Sequence, residues 1–125
     1  MKIIQLLFVS IVLSFSVNLA SAQTYSSVKA TPAQEVKANK IVLQFDDELS
    51  LTEKQELLFQ TKQAEFIAVN ESILNSQRTR KEINGMLLAL YQEQANEMKE
   101  ILTQPQYDVY KKVRNKIDPL IVILK

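Results

Sequence analysis

The sequence predicts an all-α fold: four helices, in which a long antiparallel hairpin is flanked by two shorter helices. Three observations carry this. The 125 residues hold one Gly and three Pro, so little interrupts a helix. The chain is rich in Lys, Glu, Gln, Leu and Ala, which lose little on entering a helix. And Thr-x-x-Gln recurs at Thr31, Thr52 and Thr103. A Thr at an N-cap accepts a hydrogen bond from the N3 backbone N–H, and a Gln at N3 reaches back to the cap's own N–H. Each copy therefore reads as a helix start.

Residues 1–22 read as a secretory signal peptide. Met1-Lys2 is a short basic start, Ile3 to Leu19 is mostly apolar, and Ala20-Ser21-Ala22 is a small-x-small cleavage site. The alternative is an uncleaved membrane anchor, which Ala-x-Ala and the polar residues after Leu13 disfavour. Cleavage after Ala22 places the mature chain in the periplasm or outside the cell. It also removes Lys2, leaving 14 basic and 14 acidic residues. A neutral exported chain gives no reason to expect nucleic acid as a partner. The chain has no Cys, so packing and not disulfides must stabilise it, and a Cys-linked lipid anchor is excluded.

Residues 23–31 lack apolar periodicity and are expected to be a flexible leader. The first helix is expected over 32–48, with Ala38, Val42, Phe45 and Leu49 on one face. Asp46-Asp47-Glu48 opposes the dipole at its end but suits the start of the next helix. A tight break is therefore expected near Leu49-Ser50-Leu51. The second helix should run over 53–75. Phe59, Phe66 and Ile73 are spaced by seven, as are Gln60, Ile67 and Leu74, while Leu58 and Val69 widen the stripe. Gln63 and Asn70 fall near that seam, setting register or partly exposed.

A polar stretch over 75–79 is the expected hairpin. It contains neither Gly nor Pro, so a continuous helix of about 50 residues, some 75 Å long, is the alternative. The third helix is expected over 80–102. Its buried face is taken as Leu88, Tyr91, Ala95, Met98 and Leu102, broadened by Ile83, Leu87 and Ile101. Gly85 lies inside it, and close approach of another helix is the expected reason, with a functional kink the alternative. The fourth helix should start at Gln104 and end near Lys116, before Asp118-Pro119. Tyr110, Val113 and Ile117 share one face there; Lys111, Lys112, Arg114 and Lys116 crowd the others. Leu120 to Leu124 is an apolar tail, too short to span a bilayer and expected to pack on a neighbouring helix or a dimer partner.

Two of the capping boxes extend to Leu-Thr-x-x-Gln: Leu51, Thr52, Gln55 and, 51 residues later, Leu102, Thr103, Gln106. Such a pair, in a small, exported, helix-rich chain, resembles the Spy/CpxP family of periplasmic proteins. The resemblance covers roughly Ala33 to Ile117, within a helical domain taken as 32–125. It implies a cradle-shaped homodimer. It also implies ATP-independent chaperone activity on unfolded or partly folded envelope proteins, or a modulating contact with a stress-sensor domain. A helical adaptor with one dedicated envelope partner is the alternative class.

The chemistry inventory is short. Without His or Cys the usual zinc, nickel and copper ligand sets cannot be built, which departs from the metal-sensing relatives of the Spy/CpxP group. No metal, cofactor or catalytic residue is expected, and no enzyme. Glu93, Glu97 and Glu100 lie at helical spacing and read as a solvated face. Arg78, Arg80 and Lys81 cluster at the expected hairpin tip and are the candidate client-binding residues. The basic run from Lys111 to Lys116 is the second positive surface.

Overall fold

The computed structural model describes residues 28–122. The expected signal peptide, the first part of the expected leader and the end of the apolar tail lie outside the described residues. Within them the architecture is all-α: α1 (Pro32–Leu49), α2 (Glu53–Leu74), α3 (Arg80–Ile101) and α4 (Gln104–Ile117). The α2/α3 pair forms the long hairpin. The α1 helix packs against α2 and against α4, and α4 makes a smaller contact with α3.

Every helix begins at a Thr. Thr31, Thr52 and Thr103 each complete both halves of a capping box with Gln34, Gln55 and Gln106. Thr79 also caps, its side chain accepting from the Glu82 N–H at 3.2 Å. Ser50-x-x-Glu53 also has the form of a capping box, but no helix starts there, because Ser50 is the C-cap of α1, in the left-handed conformation at φ 51°, ψ 62°. Asp46 builds this break. Its carbonyl accepts the Ser50 N–H at 2.9 Å and its carboxylate accepts the Leu51 N–H at 2.8 Å. The hairpin likewise breaks where expected: α2 stops at Leu74, and the Ser76 hydroxyl and N–H both turn back to the Ile73 carbonyl.

Two apolar clusters form the core. The first gathers Val42, Phe45 and Leu49 of α1, Phe59 of α2, Met98, Leu102, and Tyr107 and Tyr110 of α4. Phe45 lies 5.2 Å, centroid to centroid, from both Phe59 and Tyr110, in tilted arrangements favourable for aromatic quadrupoles. The second lies towards the hairpin tip: Phe66, Val69 and Ile73 face Ile83, Leu87 and Leu90. Val28, within the stretch expected to be a leader, packs against its edge.

Several positions differ from expectation. The buried face of α3 is Ile83, Leu87, Leu90, Gln94 and Met98; Ile83, Leu87 and Met98 are among the expected positions, but the face is centred about 80° from the stripe through Leu88, which is 45% exposed. Leu58 is also exposed instead of widening the α2 seam. Gly85 is exposed, and a Cβ built there meets nothing within 4 Å, so no helix approaches it. Arg114 is buried, not on a basic outer face.

Candidate functional site

The two Leu-Thr-x-x-Gln motifs meet. Gln55 Nε2 donates to Gln106 Oε1 at 2.8 Å, and Gln106 Nε2 donates back to Gln55 Oε1 at 3.0 Å. Each amide's second N–H reaches the end of the helix preceding the other motif. Gln55 donates to the Ile101 carbonyl at 3.2 Å and Gln106 to the Leu49 carbonyl at 3.3 Å. Both are last-turn carbonyls, which lack an intrahelical donor. Each Oε1 also accepts its own cap's N–H, Thr52 at 3.0 Å and Thr103 at 2.9 Å. Both donors of each amide are thereby used and each oxygen is saturated. Leu51 and Leu102 anchor the joint by packing into the first cluster. The six motif residues thus clasp two helix junctions together, a role that local capping alone does not reveal.

Between the two apolar clusters lies a polar centre. Gln63, Gln94 and Arg114 are all buried. Gln94 Nε2 donates to Gln63 Oε1 at 3.0 Å, and Arg114 donates to Gln94 Oε1 at 3.2 Å and to the Tyr91 carbonyl. Asp118, just past α4, accepts from Gln63 Nε2 at 2.9 Å and Gln94 Nε2 at 3.4 Å. The Arg114 guanidinium sits 3.3 Å from the Tyr91 ring centroid and 5.5 Å from that of Tyr110. A buried charge is costly unless its donors and field are met. Here two carbonyl oxygens, two aromatic faces and the Asp118 carboxylate across Gln94 offset part of that cost, while Arg114 Nε and the neighbouring Tyr110 hydroxyl are buried with no hydrogen-bond partner among the described residues. Burial pushes the Tyr110 hydroxyl far above its usual range, outweighing the lowering effect of Arg114. Burial likewise raises Tyr91, whose hydroxyl donates to Asn115 Oδ1 at 2.8 Å. Sequence reasoning placed Gln63 near the seam but missed Gln94 and Arg114. The signal available was their spacing: Gln94 continues Leu87 and Leu90 by three-four steps, and Arg114 continues Tyr107 and Tyr110.

Arg78, Arg80 and Lys81 lie at the hairpin tip, all exposed, with no ion pair among the described residues. The clasp is at the opposite end of α2, about 30 Å away at 1.5 Å per residue. The structure therefore does not bring the two sets of predicted site residues together. The second basic run is dispersed: Arg114 points inward, and Lys111 lies over the Tyr107 ring at 4.9 Å and beside Asp108 at 3.7 Å. Among the acidic residues, Glu97 pairs with Lys62 across the hairpin at 3.2 Å, and Glu65 joins at 3.4 Å. Burial alone would lower the Lys62 pKa, but these two carboxylates together raise it.

Large apolar side chains remain uncovered on the helices: Leu57 is 66% exposed, Val36 57%, Leu43 50% and Leu58 44%. No described helix is long and apolar enough to cross a membrane. Comparison with family models, with curated proteins and with solved structures gives no match.

Proposed function

We propose that this protein is a non-enzymatic, ATP-independent chaperone-like factor of the periplasm or cell exterior, of Spy/CpxP type, which holds unfolded or partly folded envelope proteins as a homodimer. The observation that carries this reading is the pairing of uncovered apolar side chains on well-capped helices with an uncompensated basic tip. Leu57, Leu58, Val36 and Leu43 offer sequence-tolerant contact. Arg78, Arg80 and Lys81 supply long-range attraction that speeds encounter. Binding of this kind is weak and reversible, as a holding function without an energy source requires. The two joined Leu-Thr-x-x-Gln motifs support the resemblance.

Light scattering of several unrelated denatured proteins, with and without the purified mature chain, tests the proposal. Suppressed aggregation of several clients is expected. Suppression of none, with one tight partner recovered instead, would move the protein into the adaptor class.

A further inference from the structure

Past Asp118 the chain lies in neither helix nor strand, yet it is not free of the fold. It roofs a small cleft of about 50 Å³ between α2 and α3, walled by Gln63, Phe66, Ile67, Leu87, Leu90 and Gln94. Two side chains hold it there. Asp118 takes the amide N–H groups of Gln63 and Gln94, and Leu120 packs against the second cluster. Pro119 between them restricts the backbone through its fixed φ. Beyond Leu120 the grip ends: Ile121 is 51% and Val122 42% exposed.

We propose that residues 118–122 are a displaceable internal ligand, and that the α2/α3 groove beneath takes in their place an extended segment of an unfolded protein with an acidic residue two positions before an aliphatic one. The chemistry of that pattern follows from what the groove loses when the tail lifts. Gln63 and Gln94 are buried and are left with amide N–H groups lacking an acceptor, an arrangement that disfavours an empty groove. The Arg114 guanidinium behind Gln94 adds a positive field that prefers a carboxylate to a neutral acceptor. Phe66, Leu87 and Leu90 then require an aliphatic side chain one extended step further on. Besides the Asp118 N–H that caps α4 on the Arg114 carbonyl at 2.8 Å, the tail is held by one half-buried apolar anchor and two side-chain hydrogen bonds to neutral donors, a grip that competition can break. The naming of an unfolded protein as the occupant rests on the function proposed above; the groove and its internal ligand do not.

The test uses the full chain and a fluorescent peptide, Asp-Pro-Leu-Ile-Val. A groove blocked by its own tail most of the time binds a competitor more weakly by the fraction that is open. Leu120→Ser should therefore bind the peptide about tenfold more tightly than the unsubstituted chain. Adding Ile67→Lys at the groove wall should abolish the gain, and peptides with Asn for Asp or Ser for Leu should lose most of their affinity. Asp118→Asn, the milder change, gives the same comparison if Leu120→Ser does not fold by circular dichroism. Equal affinity for unsubstituted and variant chains, no binding by any, or binding that survives Ile67→Lys would overturn the proposal. Enhanced peptide binding without suppression of aggregation would retain the groove and remove the chaperone reading. Suppression of aggregation with no change in peptide binding would do the reverse.

Discussion

Gln55 and Gln106 exchange two amide hydrogen bonds, 2.8 and 3.0 Å long, across 51 residues of sequence. The pair ties the α1/α2 junction to the α3/α4 junction, and each partner serves the final turn of the helix preceding the other's motif. A double-mutant cycle should expose this. Gln55→Ala and Gln106→Ala should each cost about 1–3 kcal/mol, because each leaves the partner amide and a helix-end carbonyl short of a bond. The double variant should cost less than their sum by about 0.5–3 kcal/mol. Strict additivity in urea denaturation would show that the two motifs act separately.

Arg114→Lys should be far from conservative. The guanidinium stacks on Tyr91 and donates to Gln94 while buried. An ammonium offers neither the planar face nor the fork. A loss of about 2–4 kcal/mol is expected, against less than about 0.5 kcal/mol for the exposed Lys112→Ala. Equal melting temperatures for the two variants would return Arg114 to the surface.

Two backbone positions should tolerate improvement. Gly85→Ala adds a methyl group to open space inside α3 and should stabilise by about 0.5–1 kcal/mol. Ser50 holds a positive φ at the α1 C-cap. Ser50→Gly should relieve a left-handed penalty of about 1 kcal/mol, partly offset by greater freedom in the unfolded chain. Thermal denaturation reads both. Destabilisation by Gly85→Ala would point to a contact with a second copy of the chain.

Glu71 fixes the start of α1 to the end of α2, accepting from Lys37 at 2.8 Å and from Gln34. The Lys37 hydrogen bond, followed by that of Gln34, lowers its pKa from 4.5. Its contribution is therefore fully present above pH 4.5 and is lost as pH falls through the lower folded-state value. Glu71→Gln should flatten the acid limb of the stability profile below that pH and change little at pH 7, since the pair is largely exposed. An unchanged acid limb would show that Glu71 does not carry it.

Arg78, Arg80 and Lys81 changed together to Glu should slow capture of an acidic unfolded client several-fold at low salt. The effect should fade towards 1 M, where the screening length is about 3 Å. Stability should barely move. Stopped-flow capture at two salt concentrations makes the comparison, and equal rates at low salt would leave the tip as solvated surface.

The helix boundaries were legible because their signals are local. Thr-x-x-Gln boxes open three of the four described helices, Asp118-Pro119 ends the last, and the α1 stripe of Ala38, Val42, Phe45 and Leu49 has no competitor. The facing of α3 was not, because Leu87, Leu88, Leu90 and Tyr91 are all apolar and admit two stripes one residue apart. Only its partners on α2 decide between them. Gln94 and Arg114 were missed for a related reason: their burial depends on each other and on Asp118, which no single helix contains. The motif residues were found, but their pairing joins positions 51 apart, beyond the reach of any local pattern.

That separation has a kinetic consequence. Closing a loop of about 50 residues unaided costs roughly 3–4 kcal/mol in chain entropy, more than two amide hydrogen bonds return. Zipping of the α2/α3 hairpin from its tip removes most of that cost, by carrying Gln55 and the end of α3 to the same place. The joint is therefore expected to close after the transition state, once the long helices are already side by side. Gln55→Ala should leave the refolding rate nearly unchanged and accelerate unfolding, so the amide pair governs how long the folded molecule lasts rather than how fast it forms.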